Sequence, residues 1–252
     1  MTLIFRGYTQ ATCGSCESKS IEQRGRCPAC HGTGREYIEA SVIAAHGPLV
    51  RGLDRLAVDI HADNVAAGWW TKLNSGQRED LLHTRNRGET LMLCVTELHE
   101  AIEAHEQGLK DDKLPERLGL HVELADCAIR VLDLIGAEQR RGGKQPLVTY
   151  TTLSGSVSVS MFVGEYHAER RGMHGDVFRI VSDLSRALDD GYRRDKVQIA
   201  RFHLTCALFR IIALAHVENI PIFDIIEEKR AFNRNRADHK IENRMKDGGK
   251  KL

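Results

Sequence analysis

TELHEAIEAHEQG (residues 96–108) and HVELADCAIRVLDLI (residues 121–135) decide how this chain is read. Each stretch carries two acids three residues apart: Glu97 with Glu100, then Glu123 with Asp126. At the α-helical repeat such positions lie about 60° apart on one face. Leu93, Leu98, Ala101 and Ile102 make an apolar stripe around the first pair, and Val122, Ala125, Ile129 and Leu132 around the second. Acids beside such a stripe face the core or border it. An unpaired carboxylate is costly to bury, so positive charge is expected to meet them. A short break around residues 110–119 turns the second helix back on the first. Four carboxylates then converge as hard oxygen donors, a set suited to magnesium or manganese. The plainer alternative, ordinary surface acids, suits a single pair better than two on consecutive helices.

The rest of the composition agrees with a helical protein. Of 252 residues, 42% are hydrophobic and 28% charged, as in globular chains. Only five prolines and long runs of 3.6-residue apolar period point to a mostly helical protein. A net charge of +1 argues against gripping nucleic acid by bulk electrostatics. No apolar run is expected to approach the roughly 18 residues of a membrane span. The opening MTLIFRGYTQ lacks the apolar core of a signal peptide. The expectation is an intracellular, cytoplasmic protein whose cysteines are thiols or metal ligands.

Cys13, Cys16, Cys27 and Cys30 form two CxxC knuckles, a spacing that predicts a structural zinc site in a ribbon over residues 1–40. Four cysteines leave no open coordination position, which argues against catalytic zinc. The run Cys27–Gly34 resembles the CxxCxGxG repeat of the J-protein chaperone zinc domain over eight residues. Five basic residues against four acids make the ribbon a poor phosphate binder. A structural staple or a protein contact is the expected role. Cys94, Cys127 and Cys206 sit in apolar helical patterns and are expected to pack as small hydrophobes.

Residues 41–52 hold Gly47, Pro48 and Gly52 and read as a linker with short helical pieces. A helix is expected from Leu53 to Ala67, stopped at Gly68. Trp69 and Trp70 follow, the two tryptophans of the chain. They fit two core residues, or a stacking surface for a planar base with Asn64 reading its edge. Asn74-Ser75-Gly76 is a turn, and a helix is expected from near Glu79 into the first acid pair.

His61 with Asn64, Gly68-Trp69-Trp70, the two acid pairs and a KxxxNxxR helix at Lys229, Asn233 and Arg236 occur in that order. Together they resemble the all-α nucleoside triphosphate pyrophosphohydrolases, the superfamily of MazG and the dimeric dUTPases. The resemblance covers roughly residues 53–252, and its basic tail is typical of MazG-like proteins, phage ones among them. It implies hydrolysis of a (deoxy)nucleoside triphosphate to the monophosphate and pyrophosphate, with magnesium or manganese on Glu97, Glu100, Glu123 and Asp126. It also implies a base and sugar pocket from Asn64, Trp69 and Trp70. Lys229, Asn233 and Arg236 share one helix face at i, i+4, i+7 and would meet the phosphates. A homodimer is expected.

The second half reads as a worn copy of the first. Val181–Asp189 aligns with Val95–Glu103, and His203–Arg210 with Glu123–Arg130. Arg186 replaces Glu100, His203 replaces Glu123 and Cys206 replaces Asp126, while Asp183 keeps the acid of Glu97. A tandem of one active and one degenerate unit follows. The first unit has no KxxxN helix of its own, so the one near the end has to fold back onto its acids. Residues 148–161 fit a hairpin or a loop entering a helix near Ser158. Rival readings are a zinc-ribbon nucleic-acid regulator with a helical dimerisation domain, a metal-binding scaffold, and a hydrolase of nucleotide diphosphates or phosphoribosyl-ATP.

Overall fold

The computed structural model describes residues 39–74, 77–80, 82–142, 159–237 and 240–244. Cys13, Cys16, Cys27 and Cys30 and the basic residues beyond Arg244 lie outside them. The chain divides into two units, Met1–Gly47 and Pro48–Leu252. Of the first, the described part is helical residues 39–47. The second unit is all-α, and the packing below is its own.

The described elements of the chain are α1 (Glu39–Ala66), which begins in the first unit, a β1–β2 hairpin (Thr71–Asn74 with Gln77–Asp80), α2 (Arg87–Gln107), α3 (Gly119–Gly142), α4 (Val159–Ala168), α5 (Gly172–Arg186), α6 (Val197–Val217), α7 (Ile222–Asn235) and the short α8 (Ile241–Arg244). Residues 41–52 are therefore helical throughout rather than in short pieces, and the boundary between the two units falls among them, after Gly47. Gly47-Pro48 signals a break, but Val50 and Leu53 beyond it are buried, and that burial rewards continuing the helix. The helix expected from near Glu79 starts instead at Arg87. The Asn86 side chain caps it by accepting from the Gly88 and Glu89 amides, and residues 77–80 pair as a strand. The α2 helix ends at Gly108, whose φ of 64° is open to glycine at little cost.

α2 and α3 form one helical hairpin, and α5 and α6 form another, joined by a π-helical turn (Ala187–Gly191) and a 3-10 turn (Tyr192–Arg194). α3 is the central helix, packed against α2, α6 and α7. Val122, Leu124, Ala125, Cys127, Ala128, Val131, Leu132, Leu134 and Ile135 on it are all fully buried. Cys94, Cys127 and Cys206 are buried thiols in this core. At Gly136 a side chain would lie 2.3 Å from the Ala57 carbonyl oxygen, so glycine sets the close approach of α1 to α3.

One sequence expectation needs correction. Val197–Val217 is long and apolar enough to cross a membrane by length and composition, with mean hydropathy 1.5. Within the bundle, 61% of that stretch is buried, with Leu204, Leu208, Ile211 and Leu214 fully so. Buried core helices meet the same composition.

Candidate functional site

Of the four acids predicted from spacing, Glu97, Glu100 and Glu123 come together, and Asp126 lines the same cavity paired with Lys229. α2 presents Glu97 and Glu100, and α3 presents Glu123 and Asp126, along one cavity of about 350 Å³. One oxygen from each of Glu97, Glu100 and Glu123 lies within 4.8 Å of the others. Glu97 is buried, Glu123 and Asp126 half-buried, and Glu100 is at the open edge. Burial drives the Glu123 carboxyl up to about 9, aided by its hydrogen bond to Glu97 and the charges of Asp126 and Glu97. Burial also lifts Asp126 to about 6 against the pull of Lys229. Glu100 is raised by burial and by Glu97.

Two cations already meet these acids. Arg130, one turn after Asp126, places Nε 2.6 Å and Nη2 2.5 Å from the same Glu97 oxygen. Burial opposes its charge, and Glu97 more than compensates. Lys229 arrives from α7, a hundred residues further along the chain, and sets Nζ 2.7 Å from Asp126. It is buried, with Asp111 3.9 Å away. So the final helix does fold back onto the acids of α2 and α3. Arg230 and Arg234 anchor it to α1 through Asp63 at 2.9 and 2.8 Å, and Glu228 pairs with Arg117 in the loop between α2 and α3 at 2.6 Å.

Asn233 and Arg236 line the same cavity. Arg236 lies just past the end of α7, with extended backbone, and so is not on the helix face its i+7 spacing suggests. Among the described residues Asn233 Oδ1 is buried and has no hydrogen-bond partner. Asn64 and Trp69 line the cavity from α1 and the turn that follows it. Trp70 does not. Its side chain is 1% exposed, and its Nε1 donates to both Asp133 oxygens at 2.9 and 3.0 Å. It is the core member of the tryptophan pair. His61, buried beside it, has Nδ1 2.7 Å from Asp133.

No known protein family, curated protein or solved structure matches this chain. The site therefore rests on its own geometry.

Three carboxylates within reach of one another, one of them held protonated to about pH 9, are short of positive charge. Oxygen donors of this kind fit a hard divalent cation. The sequence reading missed Arg85, Lys113, Arg130 and Asp133, which also line the cavity. Arg130 and Asp133 each lie seven residues after an assigned acid, Glu123 and Asp126. Two full turns return to the same helix face, and that spacing was the available signal.

The α5–α6 hairpin shows what stands at the aligned positions. Asp183 is buried, and Arg210 Nε binds it at 2.8 Å, with His203 at 3.8 Å. Arg210 also pairs with Glu165 at 2.8 Å. The Asp183–Arg210 pair repeats the Glu97–Arg130 pair of α2 and α3.

Proposed function

We propose that this protein hydrolyses a (deoxy)nucleoside triphosphate to the monophosphate and pyrophosphate. The observation that carries the reading is Lys229 set 2.7 Å from Asp126, which brings the basic helix against the acid pairs at one cavity. Bound by Glu97, Glu100, Glu123 and Asp126, magnesium or manganese would supply charge neutralisation and acidify water beside the phosphates. The chain's own residues then divide the work. Arg130 fixes Glu97 by a charge-assisted hydrogen bond and keeps its carboxylate oriented. Lys229 and Arg236 neutralise phosphate oxygens, Lys113 adds charge from the loop after α2, and Asn233 Oδ1 accepts from a donor on the ligand. Glu100, the most exposed of the acids, takes the proton of the attacking water. A new oxygen–phosphorus bond forms at the α-phosphate as the bond to the pyrophosphate oxygen breaks. Trp69 offers a stacking face for the base and Asn64 a donor and acceptor beside it.

The α5–α6 hairpin is the degenerate second copy in this reading. Arginine, histidine and cysteine at the aligned positions turn a cation cage into an ion pair within the protein. Structural zinc on Cys13, Cys16, Cys27 and Cys30 and assembly as a homodimer belong to the same proposal.

The test is a panel of ribo- and deoxynucleoside triphosphates with magnesium, assayed separately for pyrophosphate and for phosphate. Pyrophosphate release from the wild type and none from Glu123→Gln, with an unchanged circular dichroism spectrum, is expected. Phosphate as the product, or wild-type turnover in Glu123→Gln, would overturn the reading.

A further inference from the structure

Asp133 is the one acid of the cavity wall that no cation-binding role explains. It lies seven residues after Asp126 on α3, so about 10 Å further along the same face. Its partners His61 and Trp70 are close in sequence to Asn64 and Trp69, which line the same cavity. Its carboxylate is held from behind, by Trp70 Nε1 across both oxygens and by His61 at Oδ1. Two donors do not exhaust a carboxylate, which offers about four lone-pair sites. Arg85 lines the cavity beside it. Its guanidinium sits 4.8 Å over the Trp70 ring, and one N–H donates to the Trp69 carbonyl. An arginine has five N–H donors in a fixed fork. The cavity wall therefore carries a fixed acceptor and a fixed donor, with Asn64 and Trp69 in the same lining.

We propose that Asp133 and Arg85 select the base. Asp133 accepts an N–H of the base edge, and Arg85 donates to a carbonyl oxygen on that edge. The class chosen is the bases that carry both groups: guanine, cytosine, uracil and thymine. Adenine offers the arginine fork a ring nitrogen with one lone pair in place of a carbonyl oxygen with two, and is disfavoured. This rests on the pyrophosphohydrolase reading above and adds its substrate class. Sites built to hydrogen-bond a substrate group discriminate strongly against an analogue without it, because their own polar groups are left unpaired.

The experiment measures kcat/KM for the full-length protein with all eight common ribo- and deoxynucleoside triphosphates. Three proteins are compared: wild type, Asp133→Asn and Arg85→Met. Asp133→Asn is isosteric and keeps an acceptor for the Trp70 N–H. Arg85→Met supplies a second variant should the first fail to fold. In the wild type, ATP and dATP are expected at least tenfold below the best substrate. Either variant should shrink that ratio at least threefold, with a larger loss on the carbonyl-bearing bases. A wild type that takes ATP as well as its best substrate overturns the proposal. So does a variant that lowers every substrate by the same factor, since Asp133 would then only anchor Trp70 and His61. Both outcomes leave the pyrophosphohydrolase reading standing. A wild type that releases no pyrophosphate from any of the eight overturns both.

Discussion

Glu123→Gln should remove a pH dependence of stability that the wild type carries when free of metal. In the unfolded chain Glu123 titrates at its ordinary 4.5, and in the folded protein at about 9. Between these values the folded state holds a proton that the unfolded state has released. Stability from this group is thus fully present below the lower value and is lost as pH rises toward the upper one. Each unit of separation corresponds to about 1.4 kcal/mol. Partial exposure and solvent screening reduce the total to about 2–3 kcal/mol. For a domain of this size that amounts to a fall in Tm of about 5–10 °C. The assay is thermal unfolding in chelator from pH 5 to pH 9, wild type against Glu123→Gln. The glutamine variant keeps the shape without the charge, so its curve should stay flatter and cross above the wild type at the alkaline end. Saturating magnesium should flatten the wild-type curve too. Parallel curves for the two proteins would refute the reasoning, because no unfavourable carboxylate would then be present at the cage.

Asp183→Asn should leave kcat for pyrophosphate release unchanged per folded molecule but cost about 2 kcal/mol in urea unfolding, because it removes one of the two carboxylates that hold the Arg210 guanidinium and leaves Glu165. A large loss of kcat there would mean a working second site. Gly136→Ala should destabilise by about 2 kcal/mol or more, since the added methyl meets the Ala57 carbonyl oxygen at 2.3 Å and the His61 Cβ at 2.6 Å. A neutral Gly136→Ala in the same urea experiment would contradict the close approach of α1 to α3.

The acids were legible because a carboxylate beside an apolar stripe at helical spacing is a strong local signal. Their meeting with Lys229 was legible only as a requirement: the first half has acids and no KxxxN segment, so the distant helix had to come back. How it returns is written in Asp63 with Arg230 and Arg234, a long-range ion pair with no local signature. The tryptophans show the limit differently. Trp69 and Trp70 are adjacent and alike in sequence, yet one lines the cavity and the other is buried on Asp133. Only the partner across α3 tells them apart. The continuity of the helix through residues 41–52 was not legible, for the opposite reason. A glycine–proline pair is a local stop signal, and tertiary burial of Val50 and Leu53 overrides it. Arg236 follows the same rule in reverse, because its spacing continues a helix that its backbone has already left.

The most direct measurement is anomalous scattering from crystals grown with manganese and a non-hydrolysable nucleoside triphosphate analogue. The account predicts manganese peaks bounded by Glu97, Glu100, Glu123 and Asp126, with the triphosphate between them and Lys229. Peaks elsewhere, or a triphosphate bound away from these acids, would contradict it.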